Sequence, residues 1–196
     1  MDKTIVLATH NAGKIREFRA VLLPLGYEVV SVKQLLPDLI EPEETGATFE
    51  ENARLKAMYY MKATGKPCLA DDSGIIADAL NGQPGVYSAR YAGEPANDEA
   101  NNQKLINALA PFPPELRTVR YRCVLFLVFP DGREIEASGD CEGLLRDFYA
   151  GTGGFGYDPL FYVPQKGKTM AELTMDEKNE ISHRGKALRK LVELLR

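Results

Sequence analysis

Residues 4–14 read Thr4-Ile5-Val6-Leu7-Ala8-Thr9-His10-Asn11-Ala12-Gly13-Lys14. The short apolar run is typical of a buried strand, and the polar turn His10-Asn11 ends it. Apolar residues then recur with helical spacing as far as Leu25, and Gly26 is a typical helix stop. This stretch predicts a strand that leads directly into a helix.

The alternation of strand and helix continues along the chain. The expected elements are a strand over 28–32, an irregular segment over 33–48, a helix over about 49–62 opened by a capping box and a strand near Cys68. They continue with a helix from Asn97, a hairpin around Asp131-Gly132 with its return strand over 134–139, and a capped helix after Thr174. Because a hairpin follows the alternating part, the pattern predicts an α/β fold with a mixed sheet flanked by helices. The length of 196 residues fits one domain, residues 1–196.

Composition narrows the class of protein. Hydrophobic residues make up 44% and charged residues 27% of the chain, which is typical of a soluble globular protein. No apolar stretch approaches the roughly 18–20 residues that span a bilayer, and the first apolar run is too short for a secretory signal. We therefore expect a cytoplasmic protein with no membrane partner.

Charge and cysteine content argue against a nucleic-acid-binding protein and against a zinc site. The net charge of −4 argues against nucleic acid as a partner, although a single nucleotide needs only a local basic patch. The three cysteines, Cys68, Cys123 and Cys141, lack the spacing of a zinc site, so reduced and mostly buried thiols are predicted. Because His10 and His183 are the only histidines, a multi-histidine zinc site is nearly excluded.

An acidic pair follows the apolar run 67–70, in the sequence Asp71-Asp72-Ser73-Gly74. Adjacent carboxylates repel each other, so a fold that keeps them together has to supply a compensating cation, usually a metal. The serine and glycine that follow indicate a strand end that opens onto a polar site. The pair predicts an enzyme that acts on a charged substrate.

The turn after the first strand is a candidate phosphate-binding loop. Backbone N–H groups at a helix N-terminus attract phosphate, and Lys14 adds a positive charge. The stretch is not a Walker A loop, since the pattern Gly-x-x-x-x-Gly-Lys-Ser/Thr is absent. An ordinary capped helix is the alternative.

Carboxylates near residue 44 could complete a metal site. Glu41, Glu43 and Glu44 form either a solvated acidic loop or, with one member near the Asp pair, a site for Mg²⁺.

Asn52 and Lys56 share one face of the following helix. Surface placement is the ordinary expectation for both residues, and a lysine aimed at phosphate is the alternative.

Two further motifs remain ambiguous by themselves. Residues 151–156 match Gly-x-Gly-x-x-Gly, but a strand-like segment follows where a dinucleotide site needs a helix, so we reject that interpretation. Phe155 could instead stack on a nucleobase or plug the core. His183 and Arg184 could donate to O6 of a purine, or they could simply be helix-terminal residues.

Together these motifs resemble one family over essentially the whole chain. THNAGK, EETG, TFEENARLKA, LADDSG, PGVYSARYAG, GTGGFGYDPLF and SHRGKAL occur in the order and spacing of the inosine/xanthosine triphosphate pyrophosphatase family. The resemblance implies a long mixed sheet with helices in two lobes around a central cleft, usually in a homodimer. It also implies hydrolysis of deaminated purine nucleoside triphosphates (ITP, dITP and XTP) to a monophosphate and pyrophosphate.

The resemblance also implies roles for individual residues. Glu44 and Asp72 would bind Mg²⁺, Asp72 would be the general base, and Lys14 and Lys56 would assist catalysis. Asp71 would support the site through hydrogen bonds or the outer shell of the metal. The implied substrate contacts are Thr9, His10, Asn11, Ala12, Gly13, Lys14, Ser73, Phe155, Gly156, Tyr157, Asp158, Lys178, His183 and Arg184. His10 departs from the family pattern, in which glycine or asparagine is common there.

Two other functions stay open at this level. One is a related pyrophosphatase that acts on a pyrimidine or another modified nucleotide. The other is a non-catalytic nucleotide sensor or RNA-binding module, which would gain nothing from the added carboxylates.

Overall fold

The sheet of this protein is mixed, as the sequence predicts. A computed structural model describes residues 3–195. The strands are β1 Thr4–Leu7, β2 Glu28–Ser31, β3 Cys68–Ala77, β4 Thr118–Val128, β5 Glu134–Leu145, β6 Phe161–Val163 and β7 Lys168–Thr169. Their order in the sheet is β2-β1-β3-β4-β5-β6-β7. β1 pairs in parallel with β2 and β3, whereas β6 pairs antiparallel with β5 and β7.

The helices begin and end largely where the capping residues predict. They are α1 Ala12–Leu22, α2 Val32–Leu35, α3 Phe49–Thr64, α4 Asp98–Leu109, α5 Met175–Ile181 and α6 His183–Leu194. Capping boxes open α3 at Thr48 and α5 at Thr174, and Asn97 caps α4. Gly26 is left-handed, with φ 79°, and ends the 3₁₀ turn that extends α1.

Three boundaries differ from the sequence prediction. β3 is one strand of ten residues and passes through the acidic pair, which had been expected at a strand end. Because both carboxylates have polar partners within the fold, the strand does not need to end there. β5 runs on to Leu145, and a short helix, α2, occupies part of a segment expected to be irregular.

The chain divides into two compact units. Unit 1 contains the chain up to Asp72, Cys123–Gly139 and the chain from Arg184, and unit 2 contains Ser73–Arg122 and Asp140–His183. In unit 1, α1 and α6 bury apolar side chains against alternate residues of the strands, including Ile5, Leu7 and Leu69. In unit 2, α4 packs through Leu105 and Leu109 into a core that includes residues of β3 to β6. The expected central cleft and the expected single domain stay predictions.

Two expectations from composition can be compared with the structure. All three cysteines are buried and outside disulfide bonds, and the predicted burial is thereby confirmed. Burial raises the pKa of both Cys68 and Cys123 to about 12. Over residues 3–195, none of the helices has the length and apolar character that crossing a bilayer requires.

Candidate active site

The parallel pairing of β1 with β3 explains why distant motifs meet in unit 1. Leu7 lies opposite Leu69 in the register of the two strands. The loop after β1 therefore leaves the sheet beside the part of β3 that carries Asp71. In parallel sheets, polar sites form at this carboxyl edge of the strands.

The loop between β1 and α1 is held in place by its own side chains. The Asn11 side-chain oxygen caps α1 by accepting from the backbone N–H of Lys14 at 3.1 Å, and the Thr9 hydroxyl accepts from the N–H of Asn11 at 3.2 Å. Ala12 and Gly13 form the first turn of the helix. Because the first amides of a helix have no intrahelical acceptor, their N–H groups suit an anionic ligand.

Asp71 is compensated by two cations of unit 1. One of its oxygens, Oδ2, lies 2.9 Å from the Lys14 ammonium and 3.2 Å from the Arg184 guanidinium. Although Asp71 is only 1% exposed, and burial by itself opposes ionisation, Lys14, Arg184 and Lys56 hold the pKa of its carboxyl well below its usual range.

Arg184 also pairs with a carboxylate from α1. Its other terminal nitrogen donates to Glu17, and both residues of this pair are almost fully buried. Burial opposes the charge on Arg184, but Asp71 and Glu17 outweigh it, so the pKa of the guanidinium is raised further. The purine contact implied for Arg184 stays a prediction, and the geometry adds a role in neutralising Asp71 and Glu17.

Asp72 has two partners on α3 that differ from those of Asp71. Its Oδ2 accepts from the side-chain amide of Asn52 at 3.1 Å, and its Oδ1 lies 3.7 Å from the Lys56 ammonium. The same ammonium contacts Glu44 at 2.5 Å. Surface placement of Asn52 and Lys56 is wrong, since Asn52 is fully buried and the Lys56 side chain is 13% exposed.

Asp71 and Asp72, which are adjacent residues of β3, are therefore in different electrostatic environments. Burial raises the pKa of Asp72 to about 6, and Glu44 adds to this effect, while Lys56, Lys14 and the Asn52 hydrogen bond act in the opposite direction. Burial would lower the pKa of Lys56, but Asp72, Asp71 and Glu44 together raise it. The repulsion expected within the acidic pair is thus offset by lysine and arginine side chains of the protein.

Several of these groups line a cavity of about 200 Å³ in unit 1, whereas Asp72 and Asn52 are not among its lining residues. It is lined by Ala8, Thr9, His10, Asn11, Lys14, Glu41, Pro42, Glu44, Lys56, Tyr60 and Asp71. His10 lies at its edge, with Nδ1 2.8 Å from a carboxylate oxygen of Glu41. The predicted phosphate-binding loop and the predicted metal ligand Glu44 thus border the same space. Tyr60 was missed because nothing in its sequence context distinguishes it from an ordinary buried tyrosine of a helix.

The donors in unit 1 fit a hard divalent cation. Glu44 and Asp72 both contact one ammonium group, that of Lys56, so the structure already brings these two carboxylates to a shared positive charge. Within residues 3–195, no cluster of three or more histidine, cysteine, aspartate or glutamate side chains is arranged for a metal. Two carboxylates completed by water and substrate phosphate are typical of Mg²⁺, which keeps much of its hydration.

A second cluster of predicted residues lies in unit 2. The Asp158 carboxylate accepts from the Lys178 ammonium at 2.8 Å and from the backbone N–H of Phe155 at 3.0 Å. Lys178 also lies over the Phe155 ring, 4.9 Å from its centroid. Since both members of the ion pair are buried, they fix the half-buried aromatic ring in place.

The loop that carries Phe155 is anchored by α4. Gly156 donates its N–H to Asp98 at 2.9 Å, and its carbonyl accepts from the side-chain amide of Asn102 at 3.1 Å. The Tyr157 hydroxyl donates to the carbonyl of Ser88 at 2.7 Å. No helix follows the glycines, which confirms the rejection of a dinucleotide fingerprint.

His183 has an aromatic environment that the sequence did not reveal. Its ring stacks on Tyr121 at 4.6 Å between centroids, and Tyr121 stacks in turn on Phe161 at 4.4 Å. Ser73 is half-buried in β3, directly after Asp72. The substrate contacts implied for His183 and Ser73 stay predictions.

Comparison with known proteins identifies close relatives of the whole chain. Residues 5–194 match the model of the Ham1 family. The chain is 53% identical to a dITP/XTP pyrophosphatase of Desulforamulus reducens over 191 residues, which are 97% of this chain and 94% of that protein. It is also 50% identical to a dITP/XTP pyrophosphatase of Bacillus subtilis, covering 98% of this chain and 97% of that one.

Solved structures of Ham1 proteins have the same fold as this chain. The Ham1 protein of Staphylococcus aureus matches with a TM-score of 0.87 and 45% identity, over 98% of this chain and 97% of that one. A HAM1 protein from Coxiella burnetii matches with a TM-score of 0.88 and 42% identity, over 98% of both chains.

Proposed function

Because the chain belongs to the Ham1 family, we propose that it hydrolyses deaminated purine nucleoside triphosphates, namely ITP, dITP and XTP, to the monophosphate and pyrophosphate. The observation that carries the proposal is the cluster in unit 1. One cavity there is bordered by a helix N-terminus, two lysines and Glu44, and Asp72 lies against one of those lysines.

The phosphate end of the substrate is bound by cations and helix amides in this proposal. Lys14 and the first turn of α1 bind the triphosphate, since both present positive charge to the cavity. Lys56 neutralises charge that develops on the phosphates. Phosphoryl transfer depends mostly on this kind of positioning and charge stabilisation.

Asp72 acts as the general base. Asn52 and Lys56 each hold one oxygen of its carboxylate, which fixes its orientation. The carboxylate takes a proton from a water molecule as the water oxygen bonds to the α-phosphorus. The bond from that phosphorus to the bridging oxygen breaks, and pyrophosphate leaves. Glu44 and Asp72 would hold Mg²⁺, which when bound neutralises phosphate charge and lowers the pKa of the water.

The base is recognised by the second cluster, in unit 2. Phe155 stacks on the purine, while Lys178, Asp158 and His183 supply polar groups near it. A site that donates hydrogen bonds to O6 selects hypoxanthine and xanthine over adenine, because adenine presents an amine there. The order of magnitude for such discrimination is about 10⁴–10⁵-fold.

A nucleotide panel tests the proposal. ITP, dITP, XTP, ATP, GTP and dUTP are incubated with Mg²⁺, and products are separated by ion-exchange chromatography. We expect monophosphate and pyrophosphate from ITP, dITP and XTP, and slow turnover of ATP. Equal rates with ATP and ITP would contradict the specificity, and fast turnover of dUTP alone would favour the related pyrophosphatase.

The location, oligomeric state and partners of the enzyme belong to the same proposal. We propose that the enzyme works in the cytoplasm, where nucleoside triphosphates are made and used, that it is a homodimer, and that it binds neither nucleic acid nor membrane. Sedimentation velocity gives the mass in solution, and a mass near 21.7 kDa would contradict the dimer.

A further inference from the structure

Asn52 is a fully buried polar residue of α3, and it contacts Asp72, one of the two carboxylates proposed as metal ligands. Its side-chain oxygen accepts from the backbone N–H of Gly46 at 2.8 Å, and its side-chain NH₂ donates to Oδ2 of Asp72 at 3.1 Å. A backbone N–H requires an acceptor and a carboxylate requires a donor, so these partners determine which way the amide is turned.

Gly46 connects this amide to Glu44, which is two residues earlier in the chain. A Cβ atom built on Gly46 would lie 2.6 Å from the Asn52 side-chain oxygen and 2.8 Å from Cβ of Glu51. No side chain fits there without moving the loop away from α3. The close approach of the loop to Asn52 therefore depends on glycine at position 46.

Lys56 makes a parallel connection one helical turn later. Its ammonium contacts Glu44 at 2.5 Å and lies 3.7 Å from the other oxygen of Asp72. Residues four apart lie on the same face of a helix, so α3 presents an amide and an ammonium side by side. Lys56 and Asn52 differ in charge. A metal cation could displace the positively charged ammonium of Lys56, whereas the amide of Asn52 is neutral.

We propose that Asn52 is a positioning residue that sets the spacing of Glu44 and Asp72. It does so by binding the loop after Glu44 and one oxygen of Asp72 with a single side chain. The proposal rests on the proposed function in so far as these carboxylates hold the divalent cation. Groups that orient metal ligands typically change metal affinity about 10–100-fold when removed.

Three variants test this role in different ways. Asn52→Ala removes both hydrogen bonds. Asn52→Asp keeps the size and the acceptor for Gly46 but turns a second carboxylate toward Asp72 in place of a donor. Gly46→Ala leaves the amide intact and pushes the loop away from it.

A matched control is available in unit 2. Asn101 is another buried asparagine, and its amide likewise accepts from a backbone N–H, that of Ala92 at 2.7 Å, and donates to a carbonyl, that of Ala89 at 2.9 Å. Asn101→Ala therefore removes a similar pair of hydrogen bonds from a similarly buried site, but its partners are backbone groups of unit 2.

The first measurement is Mn²⁺ affinity of the purified protein, by titration followed with electron paramagnetic resonance. The second is the Mg²⁺ concentration that gives half-maximal hydrolysis of ITP. We expect Asn52→Ala and Gly46→Ala to weaken Mn²⁺ binding about ten-fold or more and to raise the Mg²⁺ midpoint by a similar factor. Asn52→Asp should lose less Mn²⁺ affinity than Asn52→Ala, because its added negative charge attracts the cation. The KM for ITP at saturating Mg²⁺ should change far less, and Asn101→Ala should leave both metal measurements unchanged.

Two results would overturn the proposal. One is wild-type Mn²⁺ affinity in Asn52→Ala with a native thermal unfolding transition. The other is an equal loss of Mn²⁺ affinity in Asn101→Ala. If Asn52→Ala does not fold, Gly46→Ala, which changes no charge, decides the question. Absence of pyrophosphate release by the wild-type protein would instead count against the proposed function, and the Mn²⁺ affinities would still decide the role of Asn52.

Discussion

The two clusters of predicted site residues are built in different ways. In unit 1, most functional side chains come from β3, α1, α3 and α6, whereas Glu44 comes from the loop before α3. Several of them hold one another through buried ion pairs such as Arg184 with Glu17 and Asp71. In unit 2, an irregular loop carries Phe155. Its backbone N–H groups donate to Asp98 and Asp158, and the Gly156 carbonyl accepts from Asn102. Most charged groups of unit 1 are thus on helices and strands, whereas the Phe155 ring of unit 2 is on a loop braced by hydrogen bonds.

This difference leads us to expect catalysis and fold stability to depend on unit 1, and ligand affinity to depend on unit 2. Buried charges cost several kcal/mol when a partner is removed. A braced loop can lose a side chain at its tip with little effect on the rest of the fold.

The largest effect is expected from Asp72→Asn. The variant keeps the size of the side chain but cannot accept a proton from water, so kcat for ITP should fall by about 10²–10⁴-fold. Pyrophosphate release with saturating Mg²⁺ measures it, and circular dichroism checks the fold. A kcat within a few-fold of wild type would remove Asp72 from the role of base.

Arg184→Met should lower the free energy of unfolding by about 3–5 kcal/mol, because Asp71 and Glu17 would remain buried with one cation fewer. Urea denaturation measures this loss. The control is Arg122→Met, which breaks a more exposed pair with Asp140 in unit 2 and should cost about 0.2–1 kcal/mol. Equal losses in both variants would show that the buried pairs contribute no more than the exposed one.

Gly154→Ala is a test of the braced loop. Gly154 is left-handed, with φ 75°, and a Cβ atom there would collide with the Asp158 carboxylate. We expect a stability loss larger than the left-handed penalty of about 1–2 kcal/mol, together with a higher KM for ITP. Gly167→Ala is matched in conformation, with φ 65°, but its Cβ would meet no described atom within 4 Å, so it should show the left-handed penalty alone. A KM that stays at the wild-type value in Gly154→Ala would mean that the loop does not contact substrate.

Phe155→Ala should have the smallest effect on the fold and act on binding. Loss of a stacked base costs about 1–3 kcal/mol, which corresponds to a rise in KM for ITP of roughly 5- to 150-fold. Steady-state kinetics measure it, and Phe155→Tyr should retain most of the affinity because it keeps the ring. An unchanged KM in Phe155→Ala would show that the ring only fills space within unit 2.

The fold was predictable where local signals agree. Capping residues such as Thr48 and Asn97 and the left-handed Gly26 mark helix ends through chain-local hydrogen bonds and backbone geometry, so the sequence is sufficient there. The strand through Asp71 and Asp72 was not predictable in this way, because it depends on cations contributed by α1, α3 and α6.

The site was predictable at the level of motifs but not of contacts. The resemblance pointed to Glu44, Lys56 and Asp72, and the structure places them together. Glu17 was missed because its partner, Arg184, is 167 residues further along the chain. Asn52 looked like a surface residue because a single polar position on a helix carries no sign of what packs against it.

The alternation of side chains along β3 has a consequence for how this gene can vary. Asp71 faces Lys14 and Arg184, and Asp72 faces Asn52 and Lys56, because neighbouring residues of a strand point to opposite faces of the sheet. Insertion or deletion of one codon between Cys68 and Asp71 would turn each carboxylate to the opposite face of the sheet, away from its own partners, and a two-codon change would move both carboxylates along the strand. Between Cys68 and Asp72 the length of the chain is therefore as constrained as its composition, and we expect natural length variation to be confined to turns such as the one at Gly132.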